Sequence, residues 1–227
     1  MFAQTYQSGL ISLLYSVGNK PLQLWEKCEE EAARSVARVL DDDVQSAVIE
    51  LSARESVANT WIRCPAGAGD GDSGDAGEDA SAMASLHIRL RHLVLLVKPL
   101  EERELSLEVA VRDTRGQLRR FRASSFQRAT AVHARIVVLP LRLDAGSWNQ
   151  LQLDLAQLTR EAYGTAFDYA VSVQLHANCR VRRVYFAERV VAEEQLPAEF
   201  RLFKRLTKAQ AAAYKALDKS EEAAAAE

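Results

Sequence analysis

Cysteine is scarce, with Cys28, Cys64 and Cys179 the only three in 227 residues. They are too few and too scattered for a disulfide framework, and an odd number fits a reducing compartment, so the chain reads as intracellular. Long hydrophobic runs are missing too: none approaches the ~18 to 20 residues of a membrane span, and Phe2 stands where myristoylation requires glycine. Residues 8–18, SGLISLLYSVG, imitate a signal-peptide core. Met1 to Gln7 carries no Lys or Arg, however, Ser12 interrupts the run, and Lys20-Pro21 replaces a small-residue cleavage site. The segment reads as an N-terminal arm or strand of a soluble fold.

Catalytic signatures are absent as well. There is no GxSxG, and neither Ser8-Gly9 nor Ser124-Ser125 has the context of a strained nucleophile turn. Nothing favours a pair of acid/base carboxylates. His87, His92 and His133 have no second histidine at metal spacing and read as surface or hydrogen-bonded side chains. The reading is of a non-enzymatic protein without metal or cofactor.

What is present is apolar residues, 48% of the chain, enough for one domain with a full core. Charge is segregated beneath a net −2. Residues 1–84 hold 6 basic and 14 acidic side chains, a balance of −8, whereas residues 85–205 hold 20 and 13, a balance of +7. That asymmetry points to an acidic partner for the basic half, against arginines merely scattered over a solvated surface.

Period-2 patterns dominate the middle. Leu105, Leu107, Val109 and Val111 share one face of a half-buried strand, with Ser106, Glu108 and Ala110 on the other. A turn over residues 113–116 leads into a second strand, 117–123, with Arg120 and Arg122 on one face and Arg119 on the other. Further strands are predicted at 36–40, 44–51, 60–64, 86–97, 132–139, 148–153 and 168–177. So many short strands predict an all-β fold, a sandwich or barrel. One short helix is predicted from Asp154, as N-cap, to Gly164, as the left-handed terminator.

Residues 66–84, AGAGDGDSGDAGEDASAMA, form a low-complexity insert read as disordered, because its side chains bury too little surface to offset ordering. Its GxGxxG at 69–74 is rejected as a phosphate cradle, since Asp70, Asp72 and Asp75 repel a pyrophosphate. As a calcium loop it has Gly74-Asp75 in reversed order and Ser81 in place of the last glutamate. Asp41-Asp42-Asp43 reads as a tight turn rather than a cation site. The tail, 204–227, is Ala/Lys-rich, with a capping box at Thr207 and Gln210, and reads as a solvent helix.

From Val171 to Val181 the odd positions are apolar or small and the even ones polar, which places Cys179 on the core face and His176 opposite, disfavouring a shared metal. The pattern slips at Arg182-Arg183, through a bulge there or a tight turn near Asn178. Either way Arg180, Arg182 or Arg183 is expected to project from the sheet. With Arg119, Arg120 and Arg122 they form the set of candidate partner contacts, chosen for charge and alternation. Nucleic-acid binding would require more aromatics than Phe121 and Tyr185 on such a face and is disfavoured by the pI near 6.1; an acidic protein surface fits better. Glycan binding through Trp25, Trp61 or Trp148 is the rival reading.

Longer blocks carry a resemblance. MFAQTYQSGLISLLYSVGNKPLQLWEK, RRFRASSFQ, WNQLQLDLAQLTREAYGT and VQLHANCRVRRVYFAERVVAEEQLPAEFRLF make residues 1–203 similar to the cilia- and flagella-associated protein 20 family. The resemblance implies one β-sandwich domain of jelly-roll type over 1–203, like carbohydrate-binding modules, without known enzyme chemistry. It also implies a place in the ciliary or flagellar axoneme and basal body. There the family lies at the inner junction of doublet microtubules, contacting α/β-tubulin and alternating with the parkin co-regulated gene protein among other junction proteins. The long acidic insert, the segment EKCEEEAARS and the tail depart from the family pattern, as a divergent paralogue would.

Overall fold

The computed structural model describes residues 1–29, 35–54, 56–68, 84–100, 103–197 and 201. Thirteen strands are found among them: β1 (Leu10–Tyr15), β2 (Glu26–Cys28), β3 (Val36–Asp41), β4 (Ser46–Leu51), β5 (Trp61–Cys64), β6 (His92–Pro99), β7 (Ser106–Asp113), β8 (Leu118–Ser124), β9 (Ala131–Val132), β10 (Ile136–Pro140), β11 (Asn149–Asp154), β12 (Phe167–His176) and β13 (Cys179–Ala187). The one α-helix among the described residues, α1, spans Leu155–Tyr163. The strands all lie in one compact unit, Met1–Val190; a second unit begins at Val191. The insert from residue 69 to 83 and the tail from 202 lie outside the described residues, so the disordered loop and solvent helix expected there are not addressed.

The strands form a two-sheet sandwich. One sheet runs β11-β6-β13-β4-β3, with β1 pairing the far half of β13; the other runs β2-β5-β12-β7-β8-β10-β9. Alternation explains the core between them. Leu93, Leu95, Val97, Val181, Val184 and Phe186 face inward from the first sheet, and Ile62, Leu107, Val109, Phe121, Val173 and Leu175 from the second. Each such side chain contributes on the order of 1.5 to 3 kcal/mol through burial.

The caps fall where the residue chemistry places them. Asp154 Oδ1 accepts the Gln157 amide at 3.0 Å, and Gly164 ends α1 at φ 64°, its N–H donating to Arg160 O. Asp41 Oδ1 accepts the amides of Asp43 and Val44 in the β3–β4 turn, and Asp113 Oδ1 those of Arg115 and Gln117 in the β7–β8 turn.

Two predicted strands are corrected. Residues 86–91 alternate because Leu86, Ile88 and Leu90 point into the core, yet they form no strand and meet β12 through the isolated bridge of Ile88 to Ala170 and the Leu86 amide donating to Val171 O. The Gln7 side chain does much of the pairing there: Oε1 accepts from the Arg89 amide, and Nε2 donates to His87 O, both at 2.7 Å. The stretch 132–139 is two strands, folded back where the His133 amide donates to Ile136 O, so that β10 runs parallel to β8.

Candidate docking surfaces

Both ways of shifting the alternation near residue 180 occur. A turn at Ala177-Asn178 takes the chain from β12 in one sheet to β13 in the other. Within β13, Val181 faces Val97 while Arg183 faces the adjacent Leu96, leaving Arg182 as the extra residue of a bulge. Cys179 is fully buried, and His176 lies on the other sheet with Nδ1 3.3 Å from Val57 O and Nε2 3.0 Å from Gln174 Nε2. The thiols of Cys64 and Cys179 are buried, which pushes that of Cys64 up to about 12 and raises that of Cys179 as well.

The β13 arginines are held by the fold. Arg180 Nε donates to Glu50 Oε2 at 2.7 Å and Nη1 to Asp41 Oδ2 at 2.9 Å. Arg183 is 3% exposed; its guanidinium lies 3.8 Å from the centre of the Tyr15 ring and donates to Ser12 Oγ. Arg182 is 8% exposed, and its Nη1 has no hydrogen-bond partner among the described residues. Burial lowers its pKa, against the opposing influence of Tyr15 and Asp41. The expectation that Arg182 and Arg183 project into solvent is therefore corrected: sequence alternation separates the two faces of a strand but does not reveal what covers the outer one.

A guanidinium buried without full pairing stabilises little, and removing it releases the desolvation penalty. Arg182→Met keeps the stem and drops the charge, so the thermal midpoint is expected to stay level or rise. A fall of several degrees in a melting scan would contradict this.

Asp41 is the hub of this region. Its carboxylate has no exposed surface and accepts from Arg180 Nη1, from Trp148 Nε1 at 3.0 Å and from the two turn amides, with Lys98 Nζ 3.7 Å away. Burial by itself would raise its pKa; the bonds from Arg180, Trp148 and Val44 and the charge of Lys98 outweigh that and hold it below the ordinary range.

On β8 the faces divide as alternation predicts. Arg119 shares the side of Phe121 and Ala123, donates to Asp113 Oδ2 at 3.1 Å and lies 4.2 Å from the Tyr163 ring centre, which ties the sheet to α1. Arg120 and Arg122 point outward around Glu108, with Arg120 Nε 3.8 Å from Oε1 and Arg122 Nη2 2.9 Å from Oε2. Arg122 keeps 44% of its side chain exposed. It stands in a cross-strand row of Glu26, Arg63, Gln174, Glu108 and Arg122 that continues to Val138 on the outer face of the seven-stranded sheet.

The six candidate arginines thus do not form one surface. Those of β8 belong to one sheet and those of β13 to the other, whose outer faces point away from each other. Arg120 is as covered as Arg119 and Arg122 is the more open of the pair, but both share the outer-face carboxylate of Glu108, whereas Arg119 and Arg180 are tied to the fully buried carboxylates of Asp113 and Asp41.

At one end of that face lies a cleft of about 560 Å³, whose walls include Arg54, Ser56, Arg103, Ser106, Arg122 and Phe126. Phe126 is 51% exposed at its margin. Arg54, Arg103 and Phe126 carry no local pattern that marks them; they converge only when residues 53–58, 103–106 and β8 meet. Of the tryptophans proposed for glycan binding, Trp25 is buried, with Nε1 donating to Leu13 O. Trp148 is committed to Asp41, and Trp61 lies 4.7 Å beneath the Arg63 guanidinium.

This sandwich, with its paired arginines and turn caps, falls within a span that matches a known domain: the CFA20 domain covers residues 1–204. The chain belongs to the CFA20 domain family. It is 43% identical over 203 residues to cilia- and flagella-associated protein 20 of Chlamydomonas reinhardtii, covering 89% of this chain and 97% of that protein. The Paramecium tetraurelia protein of the same name is 41% identical, with 89% and 96% covered. Among solved structures this CFA20 domain chain is similar to the family 11 carbohydrate-binding module of Clostridium thermocellum, at 11% identity and a TM-score of 0.41, over 82% of this chain and all of the module.

Proposed function

We propose that this chain is a non-enzymatic structural protein of the cilium or flagellum. Its place is the inner junction that joins the A- and B-tubules of axonemal doublets, where it supports doublet stability and motility. The observation that carries this reading is the 43% identity to a protein named cilia- and flagella-associated, running through the whole sandwich and nearly the whole length of that relative. Its neighbours there are α/β-tubulin and the parkin co-regulated gene protein.

The geometry supports a role for the outer face of the seven-stranded sheet in meeting an acidic protein lattice. That face presents Arg120 and Arg122, and five of its seven strands, β7, β8, β9, β10 and β12, come from the part of the chain with the basic excess. Arg119 and Arg180 hold the buried carboxylates of Asp113 and Asp41, and Arg182 and Arg183 are buried within the fold. Exposed ion pairs contribute only ~0 to 1 kcal/mol each, so a single copy binds weakly. A row of copies on one lattice converts such contacts into stable attachment.

The double variant Arg120→Glu, Arg122→Glu is expected to fold with unchanged circular dichroism yet fail to incorporate into doublets. The decisive comparison is cryo-electron microscopy of doublets from cells with and without the protein. Loss of inner-junction density supports the proposal, and an unchanged junction rejects it.

A further inference from the structure

We propose that the cleft at the end of the seven-stranded sheet is a preformed site for a carboxylate side chain on an acidic peptide segment of a partner protein. The proposal rests on the reading above that the partner surface is acidic, and it names where that surface is gripped.

Three observations carry it. The first is that the two lips of the cleft are fixed before any ligand arrives. Asn178 Oδ1 accepts the Ala53 amide at 2.8 Å, and Asn178 Nδ2 donates to Glu104 O at 3.1 Å. Arg103 Nη1 reaches Ala53 O at 3.1 Å, binding the same two segments from the other direction. A site held in this way loses less ordering entropy when it is filled.

The second is the state of the Arg103 guanidinium. Its hydrogen bonds go to neutral oxygens, Ser52 Oγ and Ala53 O, and it forms no ion pair among the described residues. It is oriented without being neutralised, whereas Arg63 and Arg180 elsewhere are each matched with a carboxylate. A guanidinium offers several donors in a planar fork, and the groups that fit the fork best are carboxylates and phosphates.

The third is composition. The described walls carry Arg103 and Arg122 against one carboxylate, Glu104, and add the hydroxyls of Ser56 and Ser106. Arg122 is shared with Glu108, which moderates its charge but leaves the side chain partly exposed. Phe126 gives the rim an apolar surface for the stem of an incoming residue. With a volume of about 560 Å³ the cleft is within the range of specific ligand sites, roughly 300 to 1,000 Å³. A protein segment is favoured over nucleic acid because the described walls offer just two rings, Phe126 at the rim and the His176 imidazole, which already meets Val57 O and Gln174, where a nucleic-acid groove stacks successive bases on several.

The test is a titration of the full chain into fluorescein-labelled hexaglutamate, followed by anisotropy at low salt. Saturable binding is expected. Arg103→Glu weakens it by about tenfold or more, and Arg103→Gln by several-fold, in keeping with the strength of charge-assisted hydrogen bonds. Phe126→Ala also weakens it. Arg160→Glu, on the exposed side of α1, makes the same change in net charge and is expected to leave the affinity within about twofold. Melting scans of each variant confirm that it is folded.

Absence of saturable binding overturns the proposal, as does equal weakening by Arg160→Glu and Arg103→Glu. Tighter binding of labelled oligodeoxythymidine than of the peptide assigns the cleft to nucleic acid and overturns it as well. This titration on purified protein is separate from the microscopy: lost peptide binding does not relocate the protein, and a relocated protein does not empty the cleft.

Discussion

Replacing Asp41 with alanine lowers the stability of the protein by about 3 to 5 kcal/mol, the loss typical of removing one member of a buried, hydrogen-bonded charge network. Asp41 ends β3 with a carboxylate that has no exposed surface, and four kinds of donor converge on it: a guanidinium, an indole N–H, turn amides and a lysine ammonium at longer range. Its removal leaves Trp148 Nε1 without that acceptor, reduces Arg180 to its bond with Glu50, and loosens the β3–β4 turn. Asp41→Asn separates shape from charge and is expected to lose less. Urea denaturation curves measure both. A loss below about 1 kcal/mol for Asp41→Ala would show that the network is solvated and contributes little.

The same carboxylate makes stability depend on pH with a definite sign. The folded pKa of Asp41 lies below the ordinary carboxylate value of 3.8, because the donors outweigh the burial that would otherwise raise it. Asp113 is also depressed: burial raises it, but the Gln117 amide, the Thr165 hydroxyl, Arg119 and the Arg115 amide lower it further. A depressed acid binds fewer protons folded than unfolded, so its contribution is complete above the unfolded pKa and is lost as pH falls through the folded one. Stability is therefore expected to be level near neutrality and to fall below about pH 4. In Asp41→Asn that fall is shallower; an identical acid limb in the two proteins would exclude Asp41 as a source.

Phe121→Ala is expected to cost about 3 to 5 kcal/mol, the range for emptying an aromatic position in a close-packed core. Phe121 is 1% exposed in the middle of β8 and meets Tyr163 of α1 edge-on, with ring centroids 6.2 Å apart. Arg119, its neighbour in sequence, closes over the same tyrosine. The substitution thus opens a cavity beneath the strand that presents Arg120 and Arg122, and it removes one of the contacts joining α1 to the sheet. The midpoint of urea unfolding should fall while the slope with denaturant stays constant, since the surface exposed on unfolding hardly changes. A midpoint within error of the unaltered protein would mean that α1 and β10 collapse into the space.

Much of the fold was legible because strands and caps are local. The inward set on β7, the opposite faces of Arg119 and Arg120, the Asp154 cap and the Gly164 terminator follow from residue spacing, since a side chain's face is decided by the pleat and a cap by its nearest amides. Where spacing misled, a distant partner was responsible. Residues 86–91 alternate like a strand but are bound piecemeal, by the backbones of Phe2, β12 and Leu155 and by the Gln7 side chain, and residues 132–139 contain a reversal that period-2 counting cannot detect.

The candidate site was legible only in part. Charge and alternation identified Arg120 and Arg122, yet the same criteria selected Arg182 and Arg183, which other parts of the chain bury. Nothing around Arg103 or Phe126 announces a cleft, because its lips are separated by about fifty residues and are joined through Asn178 on a third segment.

The order of residues along the chain was sufficient for the family, the all-β class, the strand faces and the helix ends, because each depends on identity and short spacing. Which sheet each arginine occupies, which carboxylate neutralises it and whether it meets water depend on strands far apart in sequence being brought side by side. Burial and pairing are properties of that packing, and so it is the folded structure that separates Arg120 and Arg122, which share Glu108, from Arg119 and Arg180 on buried carboxylates and from Arg182 and Arg183, which are buried themselves.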